Sequence, residues 1–210
     1  KRLPEIGIAN LAPADGAYTI GIESYSGMDG GDYVLHLEPG AKIIASTNPA
    51  HYDERIFITA ENERDISIPG FGEIDCRGVL FMREEGDYIY YLDRDKDFRF
   101  NAIKFISCQR ITLRDFTLTD TPAWGIHLTG CDDVVCHGLR IYNNMKVPNC
   151  DGIDPDHSRN VRISDCHIEA GDDCIVLKTR PEHNDLGPCE NVTVTGCTLV
   201  SASAALKIGT

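Results

Sequence analysis

Four segments of this chain can be laid over one another: CQRITLRDFTL from Cys108, CDDVVCHGLRI from Cys131, SRNVRISDCHI from Ser158 and CENVTVTGCTL from Cys189. Counted from the first β-branched position, apolar residues or cysteines recur at offsets 0, 2, 5 and 7. The sets are Ile111, Leu113, Phe116, Leu118; Val134, Cys136, Leu139, Ile141; Val161, Ile163, Cys166, Ile168; and Val192, Val194, Cys197, Leu199. Offset 4 holds Asp115, Gly138, Asp165 and Gly196, residues that form tight bends. Alternation on either side of the bend is strand-like, and helical periodicity is almost missing. Each unit reads as strand, bend, strand.

Successive units start 23, 27 and 31 residues apart (134 − 111, 161 − 134, 192 − 161). A constant pattern at uneven spacing means insertions in loops around a fixed rung. One such unit cannot bury its inner face alone. Stacked copies can, which predicts an all-β, single-stranded solenoid, a parallel β-helix with rungs about 4.8 Å apart. An antiparallel sandwich also has many short strands, but it does not generate fixed residue sets at coil spacing. Tyr33–Leu37 and Asp65–Phe71 fit the strand pattern more loosely. The 210 residues suit one domain spanning 1–210. A solenoid needs capped ends, and no capping segment is evident, so the expectation is a domain incomplete at both ends.

Charge narrows the partners. There are 33 acidic and 20 basic residues, a net charge of −13, which argues against nucleic acid or an anionic membrane surface as partner. An acidic substrate stays open, because a local basic pocket can sit in a negative field. No apolar run approaches transmembrane length, no signal peptide is visible, and the chain starts at Lys1. Nine cysteines occur without a CxxC pair, so zinc-ligand spacing is absent. Most sit in strand-like contexts as buried thiols, and a thiol-rich chain suits a reducing compartment.

Two stretches concentrate carboxylates. NCDGIDPDHS (149–158) and EAGDDCIVLK (169–178) hold Asp151, Asp154, Asp156, Asp172 and Asp173, with Asp165 between them in the bend position. Asp151 and Asp172 are 21 residues apart (172 − 151), close to one coil, so stacking should bring Asp151 over the Asp172–Asp173 pair. Neighbouring strand residues point to opposite faces, and both members of that pair reach one cleft only if one sits at a bend, which Gly171 permits. Three crowded aspartates cannot all ionise normally, which supplies a general acid beside ionised bases. The same cluster could instead hold a hard cation such as Ca²⁺. Taken singly, each motif also reads as an ordinary turn.

Asn149-Cys150-Asp151-Gly152-Ile153-Asp154 followed by Gly171-Asp172-Asp173-Cys174-Ile175 resembles the signature of the polygalacturonase family of glycoside hydrolases (family 28), N-T-D and then G/Q-D-D. Leu35–Ala41, Gly72–Asp75, Ser107–Ile111 and Thr121–His127 are similar to other family stretches, and the likeness runs from about Ala12. The resemblance implies a right-handed parallel β-helix of the pectin-lyase-like superfamily, which hydrolyses a pectic polysaccharide with inversion and without metal or cofactor. It implies Asp172 as general acid, Asp151 and Asp173 as the groups that hold and deprotonate water, and Asn149 as an orienting residue. It also implies a secreted or periplasmic protein, against the reducing compartment that the thiols suit.

His127 and Trp124 stand one coil before Asp151 and either line a sugar subsite or belong to the core. Lys178 either meets a substrate carboxylate or pairs with an acidic residue. His157 is a candidate substitute for the family's Gly-His-Gly histidine, whose position falls on Ala204 in Ser203-Ala204-Ala205. The family's R-I-K motif, which grips a uronate carboxylate, has no counterpart in these 210 residues. Two rival functions remain: a polysaccharide lyase using Ca²⁺ and a basic residue, disfavoured because no basic residue is evident beside the aspartates, and a non-catalytic glycan-binding β-helix.

Overall fold

The computed structural model describes residues 7–8, 21–25, 32–52, 54–83, 92–93 and 98–209; residues 7–8, 21–25, 32 and 92–93 are described by backbone alone. Ala12 and Thr210 lie outside the described residues. The chain forms a parallel β-helix of three sheets. A first sheet stacks Ile56–Glu61, Asn101–Ile106, Ile126–Thr129, Ile153–Asp156, Ile175–Leu177 and Leu206–Ile208. The second stacks Asp32–His36, Arg64–Pro69, Gln109–Arg114, Asp132–His137, Arg159–Ser164 and Glu190–Thr195. In the third lie Lys42–Ile44, Glu73–Asp75, Thr117–Thr119, Arg140–Tyr142, His167–Ala170 and Thr198–Ser201. Gly7–Ile8 and Gly21–Tyr25 join the first two sheets antiparallel.

The repeat read from the sequence occupies the second and third sheets, in register. Ile66, Ile111, Val134, Val161 and Val192 form one ladder. Ile43, Ile74, Leu118, Ile141, Ile168 and Leu199 form another. These side chains are buried, apart from Val192 and Leu199, which are partly covered. The bend between the two sheets is held by Gly70, Asp115, Gly138, Asp165 and Gly196, all at positive φ. Aspartate tolerates that backbone better than most residues, and glycine adopts it freely. Gly138 and Gly196 have a second constraint. A Cβ there would come within 2.9 Å of Asp115 Oδ1 and 2.5 Å of Asp165 Oδ1.

Each coil also has a third strand, in the first sheet, which the offset pattern does not reveal. Its ladder is Ile58, Ile103, Ile126, Ile153 and Ile175 in the core, and exposed Leu206 on the last rung. Loops of changing length flank it: residues 143–152 before Ile153, and residues 178–189, with a 3₁₀ turn over Pro181–Leu186, after Ile175–Leu177. These loops carry the insertions that stretch the repeat from 23 to 31 residues. All nine cysteines are free thiols, seven of them buried. Cys108, Cys131 and Cys189 share one corner of the coil with Ser158, whose Oγ accepts from Cys131 N at 2.9 Å and donates to Leu128 O at 2.7 Å.

Candidate active site

Every aspartate of the predicted trio lies where the third sheet hands over to the first. Gly125 N donates to Asp151 O (2.9 Å), Gly152 N to Asp173 O (3.0 Å) and Cys174 N to Ala204 O (2.9 Å). This ladder stacks Trp124, Asp151, Asp173 and Ala204 in successive rungs. Glycine is required at its centre, because a Cβ on Gly152 would stand 2.4 Å from Cys174 O. Gly171 fits against the preceding loop: a Cβ there would lie 2.4 Å from Val147 O, and its N–H donates to Cys150 Sγ at 3.1 Å. Burial pushes the Cys150 thiol up to about 12, so it stays protonated and serves as packing. Asn143 ties the loops together, accepting from Thr121 N at 3.0 Å and donating to Cys150 O at 3.0 Å.

The three carboxylates receive different surroundings. Asp151 is 3% exposed. Its Oδ2 accepts from Lys178 Nζ at 2.8 Å, and its Oδ1 is buried without a hydrogen-bond partner. Burial raises its pKa, Lys178 opposes, the charge of Asp172 adds to the rise, and the net shift is upward. Asp173 is held by Lys207 Nζ at 2.9 Å and Ala204 N at 3.0 Å. Burial pushes its carboxyl up, but the hydrogen bonds from Lys207 and Ser203 and the Lys207 charge outweigh it, and its pKa falls. Asp172 is the most open of the three; Asn149 Nδ2 lies 3.3 Å from its Oδ2, and Ser201 Oγ donates to its backbone carbonyl at 2.6 Å. Asn149 in turn accepts from Arg99 Nη2 at 3.0 Å.

Lys178 pairs with Asp151 and also with Asp154, whose Oδ1 is 2.9 Å from Nζ. Asp154 is fully buried; burial first, and then Asp151, push its pKa well up. Of the two places the sequence offers Lys178, the ion pair is the one it occupies. Trp124 is partly exposed and covers that ammonium, its ring centroid 4.0 Å from Nζ and 5.1 Å from Arg180 Cζ. His127 meets Trp124 edge-on at 4.8 Å and is 2% exposed. Its Nε2 lies 3.1 Å from both Asp156 Oδ2 and Thr129 Oγ1. Burial lowers its pKa to about 4, so the neutral ring donates from Nε2 to the Asp156 carboxylate. His157 does not stand in for the family histidine: its ring nitrogens face the carbonyls of Gly187 and Arg180 and pin the 178–189 loop.

The sequence reading sees no basic residue beside the aspartates; the structure corrects this, since Lys178 and Lys207 are both there. Among the described residues no group of three or more His, Cys, Asp or Glu side chains is arranged to hold a metal ion.

The family model of Glycosyl hydrolases family 28 matches residues 11–210. The chain belongs to glycosyl hydrolases family 28. A relative named "Probable polygalacturonase" from Vitis vinifera is 30% identical over 164 residues, covering 75% of this chain and 32% of the relative. A probable polygalacturonase from Arabidopsis thaliana is 34% identical over 132 residues, covering 60% of this chain and 26% of the relative. The chain thus spans about a third or less of these curated relatives. An exopolygalacturonase from Thermotoga maritima matches with a TM-score of 0.69 at 18% identity, over 86% of this chain and 53% of that one. The Erwinia carotovora polygalacturonase matches at 0.67 and 17%, over 83% and 54%. These likenesses fix the fold as a right-handed parallel β-helix.

Family motifs point to Asn149, Asp151, Asp172 and Asp173, but not to Arg99, Asn143 or Lys207. Arg99 acts across 50 residues of sequence and Lys207 across 34. Lys207 had one available signal: its place in the ladder opposite Val176, one rung beyond the aspartates.

Proposed function

We propose that this chain forms the catalytic face of an inverting glycoside hydrolase acting on a uronate-bearing, pectic polysaccharide or its oligosaccharides. The observation that carries the reading is that three clustered aspartates have unlike surroundings, Asp172 partly exposed and Asp151 and Asp173 buried. Asp172, the accessible one, donates its proton to the glycosidic oxygen. Asp151 and Asp173 face the attacking water, and the Asp151 carboxylate takes its proton. Inversion needs room for that water, so acid and base should stand about 6.5–9.5 Å apart. Asn149, itself set by Arg99, orients Asp172. Trp124 offers an aromatic wall to a sugar ring, and His127 and Lys178 support it from behind rather than touching substrate first.

An anionic substrate is supported by Lys104. It aligns with His127, and His127 with Asp154, on the first sheet, and it has neither hydrogen bond nor ion pair among the described residues. Burial and the charge of Arg180 lower its pKa, the condition of a cation waiting for an anion. The lyase alternative needs a neutral lysine. Burial lowers the pKa of Lys178, but Asp154 and Asp151 outweigh it and hold it raised, so this ammonium is a poor base.

Asp172→Asn should lower the release of reducing ends from polygalacturonate by about 10²–10⁴-fold while the protein stays folded by circular dichroism. Wild-type product, followed by proton NMR at early times, should show the inverted anomer. Unsaturated product that vanishes with a chelator would instead establish the lyase.

A further inference from the structure

We propose that Lys178 is a positioning residue for Asp151, holding its Oδ2 and keeping the carboxylate charged so that it can take the proton of the water. This rests on the hydrolase reading above and assigns Lys178 a task other than gripping substrate.

The ammonium has no room for a substrate carboxylate. Asp151 Oδ2 lies at 2.8 Å and Asp154 Oδ1 at 2.9 Å, with the Trp124 ring over it at 4.0 Å. Lys178 is 4% exposed. Its backbone is clamped as well: Lys178 N donates to Pro155 O at 2.8 Å, and His157 N donates to Lys178 O at 3.0 Å. The side chain therefore reaches the aspartates from a fixed rung.

A purely structural ion pair would use one carboxylate. This cluster buries two around one ammonium, and Asp154, its pKa pushed well up by burial and by Asp151, holds a proton beside the Asp151–Lys178 pair. Such an arrangement is poor at stabilising a fold. It suits tuning, because Lys178 and a side-chain hydrogen bond with Asp154 both favour the charged form of Asp151 against its burial. The other charges facing Asp151 are Asp172, which disfavours ionisation, and Asp173 in the adjoining rung. Oδ2 is engaged by Lys178 at 2.8 Å, which fixes the orientation of the carboxylate. In the reaction the water oxygen bonds to the anomeric carbon as its proton passes to the Asp151 carboxylate. The glycosidic C–O bond breaks, and its oxygen takes the proton of Asp172. Solvent exchange then resets both carboxyls.

The test follows Asp151 itself. Protein labelled with ¹³C at aspartate carboxyls, with the Asp151 signal assigned through Asp151→Asn, is titrated as wild type, Lys178→Met, Lys178→Arg and Asp154→Ala. Lys178→Met should raise the Asp151 midpoint by about one pH unit or more, and Asp154→Ala, which removes the other group that favours the charged form, should raise it too. Lys178→Arg should keep the midpoint near that of wild type. In parallel, Lys178→Met should cut kcat by about 10–100-fold with KM little changed, and shift the acid limb of kcat/KM upward. If Lys178→Met does not fold, the remaining two variants still decide. An Asp151 midpoint that moves in none of them, with only melting temperatures lowered, overturns the proposal. A wild type that hydrolyses no pectic substrate, with midpoints that shift as stated, removes the hydrolase reading and leaves the hold of Lys178 on Asp151 standing.

Discussion

At the scale of the residue, burial has made neighbouring titratable groups unlike one another. Asp151 and Asp173 stack in adjacent rungs, yet one is pushed up by burial and the other pulled down by its partners. His127 shows the consequence for stability. Unfolded, the imidazole takes up a proton near the ordinary 6.5; folded, it does so only near about 4. The contribution of neutral His127 is therefore present above pH 6.5 and lost as pH falls toward 4, where the gap corresponds to about 3 kcal/mol. Urea unfolding of wild type between pH 7.5 and 4.5 should show this loss, and His127→Asn should flatten it. Equal slopes in the two proteins would mean the buried ring does not titrate as described.

Elements are where the sequence was readable and where it stopped being so. The second and third sheets could be read because two strands and a bend keep constant spacing: Val134 and Ile141 predict Val161 and Ile168 without any knowledge of the loops. The first sheet could not, because loops 143–152 and 178–189 slide its strands along the sequence. The aspartates of the site stayed legible because they cluster within two short motifs. Their partners did not, since Arg99 and Lys207 meet them only once the coils have closed. The bend tests the same logic energetically. Gly196→Ala must hold alanine at a φ of 65° with its Cβ near Asp165 Oδ1, and should cost about 1–3 kcal/mol in chemical denaturation. Combined with Asp165→Ala, it should cost less than the sum of the single changes, because the close contact disappears while the backbone penalty remains. Strict additivity would show that the aspartate does not crowd that bend.

For the whole molecule, a net charge of −13 must meet a polyanion. Lys104, without an ion pair among the described residues, offers local attraction inside a repelling field. Raising salt from about 10 to about 150 mM shortens the screening length from about 30 to about 8 Å, and should increase kcat/KM on polygalacturonate while leaving a fully methyl-esterified oligosaccharide unaffected. A monotonic fall would mean that local attraction dominates encounter. The bend column has a different reach. It reads Gly70, Asp115, Gly138, Asp165, Gly196, glycine and aspartate by turns. Duplicating a single coil would set aspartate on aspartate or glycine on glycine, whereas duplicating two would preserve the order. Across these five coils the corner repeats every two coils, so inserting a pair keeps an alternation that inserting one coil breaks.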